Sequence, residues 1–322
     1  MFTVEVHATS HIGRVRKGNE DNFLVLDIAG QKSWTGSQED GEFIIESQHF
    51  TVDENGVVMA VSDGMGGALA GEVASTMAVD TVSTKLLDPD TSGTELAQED
   101  SDHKLISRLY DATVFANHLI HEQGRTDPQY QGMGATFTGI GITPSAADVI
   151  QVGDSRAYLL RNNTIYQVTK DQSLVQQLID AQQISPEEAE THTLKNVILQ
   201  ALGAQNEIYP VSARIAPCRD DVFLLCSDGL SNKITAAEIQ QLLIDNFDDL
   251  KNACAGLVKK ANENGGEDNI TVIITKFAGE DLPAPTDGSV NMELIDLGGI
   301  HDTADQAEVD EEDTAEIEEE KG

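Results

Sequence analysis

Two stretches of this chain follow one pattern: five consecutive apolar residues running straight into Ser-Asp-Gly. Val57–Val61 leads into Ser62-Asp63-Gly64, and Val222–Cys226 leads into Ser227-Asp228-Gly229. An apolar run without polar alternation marks a strand buried on both faces, so further layers must cover the sheets that hold these strands. Two more acids sit at strand ends. Asp148–Val152 runs into Gly153-Asp154-Ser155, and Asp268-Asn269 opens the apolar run Ile270–Ile274. Antiparallel neighbours set the C-terminal end of one strand beside the N-terminal end of the next. The four carboxylates are therefore expected to gather at one edge of a sheet.

Clustered carboxylates repel unless a cation or a shared proton offsets the repulsion. Oxygen donors without His or Cys beside them select a hard divalent ion, magnesium or manganese, over zinc. The Gly64 carbonyl stands ready as a further oxygen. One Asp-Gly after a strand is ordinarily just a turn; the repeat and the two further acids are what point to a metal site. Upstream, Gly13-Arg14-Val15-Arg16-Lys17-Gly18-Asn19-Glu20-Asp21 places cations beside an acidic pair. A guanidinium can grip two phosphate oxygens in one plane, so this cluster suggests an anionic group on the substrate.

The rest of the chain mixes strands and helices. Asn22–Asp27 and Glu42–Thr51 read as strands, while Leu69–Leu87 and His103–Gln123 carry helical spacing. Thr136–Thr143, Asp148–Gly153, Ala157–Leu160 and Thr164–Val168 are four strands on short links, an antiparallel meander. Ser185-Pro186-Glu187-Glu188 and Thr235-Ala236-Ala237-Glu238 are helix starts of the capping-box kind, with Ile234 and Ile239 placed as a staple. Tyr110, Phe115 and Leu119 are expected in the core. His118 and His121 are expected as ordinary helix positions, and Gly139-Ile140-Gly141 as strand glycine.

Charge is lopsided. The chain carries 56 acidic and 20 basic residues, and Ala278–Gly322 alone holds 16 of the acids against one lysine. That composition cannot bury enough surface to order itself, so residues 1–277 are expected as the folded domain and 278–322 as an acidic disordered tail. So negative a chain repels phosphodiester backbones and anionic lipid, which excludes nucleic-acid and membrane-surface roles. Cys218, Cys226 and Cys254 show no metal-like spacing and are expected as buried, reduced thiols. No run approaches the length of a membrane span, and Met1–Val6 lacks the pattern of a secretion signal. A soluble, cytoplasmic protein is expected.

Six ordered motifs carry a resemblance. Gly13–Asp21, Ser62–Gly67, Gly132–Thr136, Gly153–Leu159, Ser227–Leu230 and Asp268–Thr271 together resemble the motifs of bacterial-type PP2C-like (PPM) metal-dependent protein serine/threonine phosphatases. The resemblance covers about Met1–Phe277. It implies an α+β fold, an αββα sandwich of two antiparallel sheets flanked by helices, with a binuclear metal centre between the sheets. It implies that Asp63 bridges two Mn2+ or Mg2+ ions, that Gly64 offers its carbonyl, and that Asp228 and Asp268 hold one ion. Glu20 and Asp21 serve the other, directly or through water, and Arg16 grips the substrate phosphate. Asp154, with Asp228, matches the site of a third, weaker ion. The implied reaction is hydrolysis of phosphoserine and phosphothreonine on proteins by two-metal-activated water, without a phosphoenzyme. Phosphorylated proteins, an opposing serine/threonine kinase, a role in signal transduction and a monomeric state come with it.

The sequence also departs from that pattern. Met65 and Ala68 stand where many relatives carry a histidine, and Gln172 stands where His is frequent, while His192 is present; the general acid is left without a residue. A catalytically inert relative that binds phosphoproteins is the competing reading, and the intact set of acids argues against it. Calcineurin-like and haloacid-dehalogenase phosphatases need His-containing or Asp-x-Asp motifs that this sequence lacks.

Overall fold

Where apolar side chains run without interruption, the chain forms strands that are covered on both sides. In the computed structural model, which describes residues 2–36, 42–88, 104–286 and 290–297, Val57–Val61 and Val222–Cys226 are at most 2% exposed. One sheet has six strands: β1 (Thr3–His11), β4 (Glu42–Thr51), β9 (Arg156–Arg161), β10 (Thr164–Gln167), β12 (Val222–Cys226) and β13 (Ile270–Ala278), in the order β10-β9-β12-β13-β1-β4. The second sheet contains β2 (Asp21–Asp27), β3 (Lys32–Thr35), β5 (Val57–Met65), β7 (Phe137–Ile142), β8 (Ala147–Val152), β11 (Val211–Ile215) and β14 (Met292–Ile295), ordered β14-β11-β8-β7-β5-β2-β3. The short β6 (Gly134–Ala135) pairs with the end of β5. All these pairings are antiparallel.

Three apolar layers hold the sheets and helices together. Between the sheets lie Val6, Phe23, Met59, Val61, Phe223 and Phe277. The second sheet is covered by α1 (Ala68–Leu87) and α2 (Lys104–Thr126) through Ala74, Val82, Leu109 and Ile120. The first is covered by α5 (Asp228–Ser231), α6 (Ala236–Asp245) and α7 (Leu250–Glu263) through Leu230, Ile239, Cys254 and Leu257. This is the αββα sandwich. Burying each large side chain such as Phe223 contributes ~1.5–3 kcal/mol, so the inter-sheet layer is the main anchor for the strand ends that carry the acids. Both capping boxes form, at Ser185 before α4 (Pro186–Glu190) and at Thr235 before α6. Ile234 and Ile239 are both buried in one cluster.

The structure departs from the sequence expectations at three places. The four-strand meander is split: β7 and β8 belong to one sheet, β9 and β10 to the other. The link Gly153–Ser155 crosses between them, and Gly153, at φ +101°, takes a left-handed turn that a side chain would strain. Phe115 and Leu119 are 39% and 36% exposed rather than core. The buried stripe of α2 runs through Leu105, Leu109, Ala112, Ala116 and Ile120, which turns Phe115 outward under the ammonium of Lys85. Finally, part of the stretch expected as disordered is a strand: β14 pairs with β11, and Ile295 and Leu297 pack on the helix-covered core. Its scattered apolar residues suffice because an existing sheet edge supplies the partner. Residues 298–322 lie outside the described residues.

Candidate active site

β2 and β5 pair so that Asp21 lies directly opposite Asp63. β12 and β13 pair with Cys226 opposite Val272, which brings Ser227-Asp228 alongside Asp268–Thr271. Asp154 arrives on the link between β8 and β9. The carboxylates therefore come from strand ends of both sheets and face one another across the sandwich, not along one sheet edge as the strand pattern alone suggests. The reason is the split meander: once β9 leaves the sheet of β8, Asp154 and Asp228 approach Asp63 from the far side.

A backbone and hydroxyl framework fixes these positions. Thr136 clamps Asp63 from both sides: the Asp63 N–H donates to Thr136 Oγ1 at 2.9 Å, and the Thr136 N–H donates to the Asp63 carbonyl at 2.8 Å. Ser227 Oγ donates to Asp21 Oδ2 at 2.6 Å and accepts from the Thr271 N–H at 3.0 Å, tying the two sheets together. Asn269 accepts from the Glu20 N–H at 2.7 Å and donates to the carbonyls of Ile12 and Gly18, at 2.9 and 3.0 Å. It thereby holds the loop that carries Arg16. Asn269 and Ser227 belong to the recognised motifs, yet nothing in their residue type or spacing reveals that they position Glu20 and Asp21. Gly229 passes so close to the Asn269 carbonyl oxygen that any Cβ would collide with it. Gly229→Ala is expected to lower stability by ~1–3 kcal/mol, read as a drop in urea midpoint at unchanged m-value.

Electrostatics follow from that crowding. Burial, and then the charges of Asp21, Asp228, Asp154 and Asp268, holds the Asp63 carboxyl well above the usual carboxylate range. Burial raises Asp21 to about 7, with Asp228 and Asp268 adding to it against the Ser227 hydrogen bond. Burial and Asp228 raise Asp154 to about 7. Asp228 is raised by burial and Asp268, against a direct interaction with Asp63. Burial raises Glu20 too, against the pull of Arg16.

Arg16 sits at the rim. Its Nη2 donates to Asp268 Oδ2 at 2.7 Å, its Nη1 lies 3.5 Å from Glu20 Oε1, and 45% of the side chain stays exposed. Beside Asp154, Arg156 grips Asp171 through Nε and Nη2, at 2.9 and 2.7 Å. Gln172 accepts from the Gly153 N–H at 2.7 Å, so the amide that replaces a histidine anchors the Asp154 turn. Met65 ends β5 against Gly134 and offers no titratable group. His192 accepts a hydrogen bond from the Leu194 N–H within its own segment. His121 Nδ1 lies 3.0 Å from the Gly203 carbonyl, and Gly139 and Gly141 lie within β7. All three cysteines are free and buried.

Among the described residues, no three His, Cys, Asp or Glu side chains are drawn tightly enough to hold an ion as they stand. The chemistry of the donors nevertheless fits a hard divalent cation. Glu20, Asp21, Asp63, Asp154, Asp228 and Asp268 offer only carboxylate oxygen, and their mutual repulsion is what a cation would relieve. Among the described residues no helix is long and apolar enough to cross a membrane.

Known proteins share this arrangement of sheets and sequence. The chain is 36% identical over 233 residues to protein phosphatase PhpP of Streptococcus pneumoniae, covering 72% of this chain and 91% of that protein. It is 34% identical over 271 residues to the serine/threonine phosphatase stp of Listeria welshimeri, covering 82% and 92%. A crystal structure of the catalytic domain of serine threonine protein phosphatase PstP in complex with two manganese ions superposes with a TM-score of 0.66 at 29% identity, covering 87% of this chain and all of that one. The family description Protein phosphatase 2C matches residues 41–263, which contain Asp63, Gly64, Asp154 and Asp228. With the match spanning well over half of it, this chain belongs to the protein phosphatase 2C family.

Proposed function

We propose that the chain hydrolyses phosphoserine and phosphothreonine on proteins, with water attacking phosphorus directly and no phosphoenzyme formed. The observation that carries this reading is the meeting of buried carboxylates from both sheets beside one half-exposed guanidinium, Arg16. Asp63 would touch two ions, with the Gly64 carbonyl beside it. Asp228 and Asp268 would hold one of them, Glu20 and Asp21 the other, and Asp154 with Asp228 a third, weaker one. Two manganese or magnesium ions, when bound, supply a water acidic enough to attack at neutral pH and positive charge for the phosphoryl oxygens. The manganese in the PstP structure supports that choice of cofactor. The nearest thiol, Cys226, is fully buried and raised to about 12, which supports attack by water over a cysteine nucleophile.

Arg16 is the group that orients the phosphate. Its planar fork, now spread over Asp268 and Glu20, would turn part of its donor capacity to phosphate oxygens. The residues that support catalysis all lie within 1–277, with 278–322 dispensable for the chemistry. Phosphorylated proteins are the substrates, an opposing serine/threonine kinase supplies them, and the enzyme works as a cytoplasmic monomer in signal transduction. The test is turnover of a phosphothreonine peptide with and without manganese. Activity that ignores manganese removal by chelator would overturn the reading. Arg16→Ala should raise KM about tenfold or more, and lower kcat as well if the grip tightens in the transition state. An unchanged kcat/KM would mean that another residue holds the phosphate.

A further inference from the structure

Away from the carboxylates, an open groove of about 460 Å3 lies on the outer face of the six-stranded sheet, between α7 and the strands β1 and β4. His7, Thr9 and His11 face it together because strand side chains repeat every two residues. Ile44 of the edge strand, 47% exposed, adds apolar surface opposite Val258. The rim is cationic: Arg14, Lys251 and Lys259 line it. Among the described residues Arg14 and Lys251 make no ion pair, and Lys259 reaches only Glu263, at 3.9 Å. Three such cations in one groove are conspicuous in a chain of net charge −36.

The same chain contains a complementary occupant. Segment 298–322 holds 11 acidic residues and one lysine in 25 positions, with Ile300, Val309 and Ile317 spaced between the acids. We propose that this segment docks in the groove of its own molecule, its acids on Arg14, Lys251 and Lys259 and an aliphatic side chain against Ile44 and Val258. The reach is sufficient. The last described strand ends at Ile295, with Leu297 packed on the helix-covered side of the second sheet. From there the path passes two sheets ~10 Å apart and crosses a sheet whose strands are ~4.8 Å apart, roughly 50 Å in all. An extended chain spans up to ~3.3 Å per residue, so about 16 residues beyond Leu297 are needed and the acids from Asp313 to Glu320 can arrive. Each exposed ion pair contributes little by itself. Tethering raises the effective concentration to the millimolar range, which makes several weak contacts sufficient for partial docking. Such docking is sensitive to salt.

The proposal is tested on the full chain by zero-length carbodiimide cross-linking, read by peptide mass spectrometry. Lys251 and Lys259 should be joined to carboxylates of residues 313–320 in the monomeric band, with the yield falling several-fold between about 20 and about 500 mM salt. Lys32 and Lys170, outside the groove, should not be joined to that segment. Arg14→Glu, confirmed folded by an unchanged melting transition, should reduce the yield at both lysines comparably. Cross-links spread evenly over all lysines, absent from Lys251 and Lys259, or confined to a dimeric band would overturn it, the last by making a second copy the occupant. None of these outcomes depends on phosphatase activity.

Discussion

Asp63→Asn is expected to lose three or more orders of magnitude in kcat on a phosphothreonine peptide, and saturating manganese should not restore it. Three orders correspond to about 4 kcal/mol of barrier. The physical reason is position. Asp63 stands opposite Asp21 in the β2–β5 ladder, is clamped by Thr136 on both backbone sides, and feels four other acids at once. An amide there keeps the shape but removes the negative charge that would sit between two dications. The same substitution should make the metal-free protein harder to unfold, because it removes a buried carboxyl whose ionisation the neighbouring acids oppose. Those opposite signs separate a chemical role from damage to the fold: a variant that was inactive because it misfolded would melt earlier, not later. Asp154→Asn is the control. It should keep two tight ions in a calorimetric titration and lose only part of the turnover. Near-normal turnover of Asp63→Asn, or loss of the tight ions in Asp154→Asn, would break the division into core and peripheral ligands.

Much of this arrangement is legible in residue order. The apolar runs before Asp63 and Asp228 predict strands covered on both faces, and both are. Ser185 and Thr235 predict capping boxes, and both form with reciprocal hydrogen bonds. The strand pattern cannot assign a strand to a sheet. β7 to β10 look like one meander because link length and apolar pattern are the same whether a link closes a hairpin or crosses between sheets. Only the packing of Phe223 and Leu159 against Met59 and Val61 decides it, and those contacts are distant in sequence. β1 is masked differently: Val4, Val6 and Ala8 face the inter-sheet core, but His7 and His11 on the other face hide the alternation from an eye seeking apolar runs. The roles of Ser227 and Asn269 are invisible for a third reason. A hydroxyl or amide that organises a site has the same signature as one that caps a turn, until its partners 206 and 249 residues away are brought beside it.

With divalent ions removed by a chelator, the protein is expected to lose stability as pH rises from about 4.5 to about 7, opposite to ordinary acid denaturation. The sign follows from the raised acids. Asp21 and Asp154 titrate at about 7 in the folded state, and burial with its acidic neighbours holds Asp63 well above the usual carboxylate range. In the unfolded chain they titrate near the normal aspartate value of ~3.9. Between those limits the folded state retains protons that the unfolded state has released, so stability falls with pH, by at most ~1.4 kcal/mol per pH unit for each such group. The exposed acids with lowered pKa values, such as Asp180 and Glu267, act in the opposite sense, but only below about pH 4.5. Asp21 and Asp154 finish ionising above pH 7, so most of their share of the destabilisation is present by about pH 8. A cation that binds only the ionised cluster then restores stability through mass action, and more strongly the higher the pH. Melting temperatures from pH 4.5 to 8 should therefore descend in chelator and stay level or rise in manganese, the two curves separating most above pH 7. Asp63→Asn should flatten the descending curve. A chelated curve that rises over this range would mean that the acids are not gathered in one low-dielectric cluster, and the candidate metal site would lose its physical basis.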